Sequence, residues 1–87
     1  MQENHLNILI VDDAQMIATL MSKYIKACGH AAVVVNSCEE AIEKLWQEHF
    51  DLVFLDTNLP DGSGIDLIGR LREISREVHI VAMTGDA

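Results

Sequence analysis

The sequence predicts an α/β domain: a parallel sheet with helices on both of its faces. Short apolar runs rich in Val and Ile alternate with longer segments of helical period, and the connections between them are brief. The short runs are almost wholly apolar, as strands buried on both faces are.

Residues 6–11 form the first such run. Ile17, Leu20, Met21, Tyr24 and Cys28 follow at i, i+3, i+4, i+7 and i+11, which is one face of a helix that Gly29 can end. Residues 31–35 make a second strand. Ala41, Ile42, Leu45 and Trp46 repeat the helical stripe, and Ser37 with Glu40 stands at the spacing of a capping box before it. Residues 52–55 are the third strand. The turn-forming run Pro60-Asp61-Gly62-Ser63-Gly64 then precedes a third stripe of Leu67, Ile68, Leu71 and Ile74. Residues 78–83 close the pattern as a fourth strand, and the regular alternation implies right-handed crossovers between parallel neighbours. Residues 1–87 read as one domain, with no repeat, low-complexity stretch or linker.

A hydrophobic fraction of 49% with 23% charged residues describes a globular chain, neither disordered nor fibrous. The net charge of −8, with only six scattered Lys and Arg, excludes nucleic-acid binding through this segment. Cys28 and Cys38 lack metal-ligand spacing and read as buried or half-buried free thiols. No stretch approaches the roughly 20 apolar residues of a membrane span, and the first residues lack the pattern of a signal peptide. A cytoplasmic location is expected.

Part of the negative charge stands where surface charge seldom does. Asp12 and Asp13 end the first strand, Asp56 the third, and Thr84 the fourth. In open parallel sheets the carboxyl ends of the strands form the ligand-binding edge, so positions far apart in sequence converge there. Carboxylates about 4 Å apart at an effective dielectric near 20 repel by about 4 kcal/mol per pair. A hard divalent cation with oxygen ligands offsets that repulsion, which points to a Mg²⁺-assisted phosphate site. Taken singly, Asp13 reads equally as a helix N-cap, Asp56 as the start of an Asx turn, and Thr84 as an ordinary strand end. Their joint occurrence at three strand ends is what carries the functional reading.

The motifs Ile8-Leu9-Ile10-Val11-Asp12-Asp13, Leu52-Val53-Phe54-Leu55-Asp56-Thr57-Asn58-Leu59-Pro60 with Gly64 beyond, and Ile80-Val81-Ala82-Met83-Thr84-Gly85 resemble the receiver domain of response regulators, over nearly all of the chain. The resemblance implies a flavodoxin-like doubly wound sheet of order 2-1-3-4-5, of which the sequence holds the first four strands. It implies that Asp56 accepts a phosphoryl group from a histidine kinase or phosphotransfer protein. Asp12, Asp13 and Asp56, with the backbone carbonyl of Asn58, would hold Mg²⁺, and Asp13 would be the more direct ligand of the acidic pair. Thr84 would donate its hydroxyl to the phosphoryl group as the switch step, Gly85 would keep that group accessible, and Pro60 and Gly64 would shape the loop.

The family also uses a Lys at the end of a fifth strand, and no residue here matches it, since Lys23, Lys26 and Lys44 lie in the first two helical segments. The chain is therefore expected to be truncated before the fifth strand and last helices. The fourth strand would then be an edge through which the fragment self-associates, and any output domain would lie beyond Ala87. A haloacid-dehalogenase-like phosphohydrolase would carry an acid where Asn58 stands. A flavin carrier would place its phosphate loop at Asp12 and Asp13, which would repel the ligand. A receiver fold acting as a phosphorylation-independent interaction module is the remaining alternative.

Overall fold

The protein's structure, a computed structural model, describes residues 5–83. Strand β1 (Asn7–Val11) leads into helix α1 (Gln15–Ala27), strand β2 (Ala31–Val35) and helix α2 (Cys38–Gln47). Strand β3 (Leu52–Asp56) is followed by a ribbon of two short strands, β4 (Asn58–Leu59) and β5 (Gly62–Ser63), then helix α3 (Gly64–Ile74) and strand β6 (His79–Met83). The four longer strands form one parallel sheet in the order β2-β1-β3-β6. With the ribbon counted apart, this is the expected 2-1-3-4 order.

Because side chains alternate along a strand, each strand serves two cores. Leu9 and Val11 of β1, Val53 and Leu55 of β3, and Val35 of β2 pack with Ala41, Leu45, Leu67 and Leu71 under α2 and α3. Ile8 and Ile10 point the other way, onto Ala18 and Ile25 of α1. Burying each such large side chain contributes roughly 1.5 to 3 kcal/mol, so the runs of Val, Ile and Leu stabilise both layers at once.

Helix α2 starts as the capping-box pattern predicts, with Ser37 Oγ accepting from the Glu40 N–H at 3.2 Å. The reciprocal bond is displaced by one residue, since the Glu40 carboxylate accepts from the Asn36 N–H at 2.8 Å. Helix α1 ends at Gly29, whose φ of 93° is the left-handed conformation that glycine tolerates without a steric penalty.

Of the apolar stripe expected to face the core from α1, only Met21 does. Ile17, Leu20 and Tyr24 are 54, 62 and 72% exposed, whereas Ala18 and Ile25 are buried and Met21 packs against them. The helix is turned so that the small Ala18 meets the sheet, which allows a close approach that a bulkier residue would prevent. Cys28 shares the outward face and is exposed, while Cys38 is buried; both are free thiols. Trp46 of α2 is also exposed, at 72%. Among the described residues no helix is long and apolar enough to cross a membrane.

Candidate functional site

Register brings the acidic residues together. Val11 lies opposite Leu55 in the β1–β3 pair, so the next residues along, Asp12 and Asp56, emerge side by side at the carboxyl edge. Oxygen atoms of Asp12, Asp13 and Asp56 all fall within 4.8 Å of one another. Asp56 is separated from Asp12 and Asp13 by more than forty residues of sequence, and only a parallel pairing of β1 with β3 unites them.

The three carboxyls occupy different surroundings. Asp12 is 5% exposed, Asp56 is half-buried and Asp13 is exposed. Asp13 does not cap α1, because the N-cap position is Ala14, whose own side chain accepts no hydrogen bond. It is Asp12 that turns the chain there, its Oδ1 accepting from the Ala14 N–H at 2.9 Å. Asp56 makes the Asx turn that its position allowed, with Oδ1 accepting from the Asn58 N–H at 3.1 Å. Its carboxylate still meets those of Asp12 and Asp13. Burial pushes the Asp12 carboxyl above its usual range, and the charges of Asp56 and Asp13 add to this, while the Ala14 N–H works in the opposite direction. A hard cation with oxygen ligands would relieve this crowding, and the donor set contains only oxygen ligands.

The loop after Asp56 is drawn tightly against it. Thr57 donates its N–H to the Met83 carbonyl at 3.1 Å and accepts from the Gly64 N–H at 3.0 Å. A Cβ at Gly64 would sit 2.3 Å from the Asp56 carbonyl oxygen and 2.8 Å from Thr57 Cα, both closer than real contacts allow. Between these points the β4–β5 ribbon pairs Asn58 with Ser63 and Leu59 with Gly62, leaving Pro60 and Asp61 at its tip. Thr84 and Gly85 lie outside the described residues; Thr84 follows Met83, the register partner of Asp56.

Two further residues support the site and were not singled out by the motifs. Asn36 Nδ2 donates to the Asp12 carbonyl at 3.2 Å, and Asp61 accepts from the first backbone N–H groups of α2. Asn36 gave a weak signal, as a polar residue directly after an apolar strand. Asp61 was concealed in a turn-forming run, where an Asp needs no other explanation.

The family model described as "Response regulator receiver domain" matches residues 8–87. The chain belongs to this family. A response regulator receiver domain protein from Methanospirillum hungatei superposes with a TM-score of 0.92 at 26% identity, covering 97% of this chain and 67% of that one. The response regulator protein TrrA from Thermotoga maritima, solved in complex with Mg²⁺-BeF, superposes at 0.87 with 29% identity, covering 94% and 71% of the two chains. The autoinducer 1 sensor kinase/phosphatase LuxN of Vibrio campbellii is 32% identical over 80 residues, which are 92% of this chain but 9% of LuxN. The receiver thus accounts for a small part of that relative, and this chain is a receiver domain of the two-component type.

Proposed function

We propose that Asp56 is the phosphoacceptor and that Asp12, Asp13, Asp56 and the Asn58 backbone carbonyl hold the Mg²⁺ that assists phosphoryl transfer. The observation that supports this most directly is the meeting of three carboxylates within 4.8 Å at the carboxyl edge of a parallel sheet. The TrrA structure, described as a complex with Mg²⁺-BeF, is that of a response regulator of the same fold and supports the same chemistry here. When bound, the metal supplies positive charge against the phosphoryl oxygens.

The chain's own residues do the rest. An Asp56 carboxylate oxygen attacks the phosphorus of a phosphohistidine in line, the phosphorus–nitrogen bond breaks, and the imidazole leaves with a proton from solvent. Asp12 and Asp13 carry the negative charge that makes the edge a cation site; attack by water on the phosphorus later breaks its bond to the Asp56 oxygen, which releases inorganic phosphate and returns Asp56 to a carboxylate. Thr84 donates its hydroxyl to the phosphoryl group, and Gly85 leaves that group open to approach; both roles rest on the sequence resemblance. The phosphoryl source is a histidine kinase or phosphotransfer protein in the cytoplasm, and the phosphorylated domain switches conformation to control an output.

Intact-mass measurement after incubation with a small-molecule phosphodonor tests this. A single phosphoryl adduct is expected with Mg²⁺ and none with excess chelator. Asp56→Asn should abolish it, and an undiminished adduct on that variant would sink the assignment.

A further inference from the structure

Asp61 stands at the tip of the β4–β5 ribbon, yet both of its carboxylate oxygens reach another element. Oδ1 accepts from the Cys38 N–H at 2.8 Å and Oδ2 from the Glu39 N–H at 3.2 Å. Those are the first two N–H groups of α2, which have no partner within the helix. The Glu40 N–H is taken locally by Ser37, so one turn is capped half from within and half from the loop. The ribbon backbone is close here as well, since a Cβ at Gly62 would lie 3.4 Å from Cys38 Sγ.

The same turn of α2 is tied to the other half of the acidic site. Asn36, just before the cap, donates from Nδ2 to the Asp12 carbonyl and from its backbone N–H to the Glu40 carboxylate. A continuous path of contacts therefore runs from Asp12 through Asn36 and the start of α2 to Asp61, three residues beyond Asn58. We propose that Asp61 is a positioning residue: by fastening the ribbon to α2 it holds the Asn58 carbonyl in register with Asp12, Asp13 and Asp56. This rests on the Mg²⁺ reading above. Groups that orient metal ligands commonly change affinity 10- to 100-fold when removed.

A plain helix cap would do none of this, so the test compares two caps of one helix. Ser37→Ala removes the local cap and Asp61→Ala the loop cap, and Mg²⁺ is titrated into the full chain by calorimetry. We expect Asp61→Ala to weaken Mg²⁺ binding about 10-fold and Ser37→Ala to leave it within about twofold. Asp61→Asn, whose amide oxygen can still accept from Cys38, should recover most of the loss. If Asp61→Ala does not fold, hydrogen exchange on the wild type gives a second test. By reciprocity of coupling, Mg²⁺ should slow exchange of the Cys38 and Glu39 amides, and unchanged exchange overturns the proposal. Equal weakening by the two alanine variants, or wild-type affinity in Asp61→Ala, overturns the positioning role alone. A wild type that takes up no Mg²⁺ overturns the metal reading with it.

Discussion

The Gly64 α-carbon packs directly on the main chain of Asp56, so closely that a methyl group there would sit 2.3 Å from the Asp56 carbonyl oxygen. The start of α3 is thus built against the residue proposed as the phosphoacceptor. Gly64→Ala must push one of the two away, and the struck atoms are backbone, which yields less readily than a side chain. Overpacking of this kind typically costs about 1 to 3 kcal/mol. Urea unfolding should show that loss, and phosphoryl uptake at Asp56 should fall beyond what the reduced folded fraction explains. Full uptake by a destabilised variant would mean that the contact serves folding alone.

Crowding of Asp12, Asp13 and Asp56 makes a second prediction, about removal of the metal. Without Mg²⁺ the cluster opposes folding, because charges that are distant in the unfolded chain are forced together. Asp12→Asn should therefore raise the melting temperature in chelator. With Mg²⁺ at 100 times its Kd the wild type should gain about 2.7 kcal/mol, and Asp13→Ala should gain far less. Melting curves with and without the metal decide both points, and an equal gain in wild type and Asp13→Ala would place the cation elsewhere.

The sheet was legible because its strands are apolar on both faces, and the acidic edge was legible because Asp12, Asp13 and Asp56 interrupt apolar runs at their ends. Rotation of α1 was not legible. Its sequence offers two overlapping stripes that share Met21, the bulky one through Ile17, Leu20, Tyr24 and Cys28 and the leaner one through Ala18 and Ile25. Periodicity favours the larger side chains, whereas close packing on the sheet selects the one containing Ala18. Asp61 escaped notice for a different reason. Its partners are backbone N–H groups 23 and 22 residues away, and no side-chain pattern encodes such a bond.

That rotation gives a third prediction. Ile25→Ala removes a buried side chain and should cost about 2 to 5 kcal/mol. Tyr24→Ser, one residue earlier and 72% exposed, should stay within about 0.5 kcal/mol. Urea unfolding of the two variants separates the stripes. A larger loss at Tyr24 would show that the bulky stripe is the buried one.

The last prediction concerns pH and lies at the opposite end of the sheet from Asp56. Asp51 Oδ2 accepts from the Asn7 N–H at 2.8 Å and its Oδ1 lies 3.2 Å from His49 Nε2, tying the start of β1 to the start of β3. The Asn7 N–H foremost, and then His49, hold the Asp51 carboxyl below its usual range against a smaller opposing effect of burial. The folded protein therefore binds this proton less readily than the unfolded chain, whose carboxyl titrates near 3.8. Stability from this group is fully present above that value and is lost as pH falls through the lower folded value. Asp51→Asn cannot titrate, so its stability should decline less steeply than that of the wild type in acid, and the gap between the two should narrow below about pH 4. Unfolding by urea at a series of pH values from 7 down to 3 reads this difference. Parallel curves for the two proteins would show that the Asn7 bond leaves the carboxyl unperturbed.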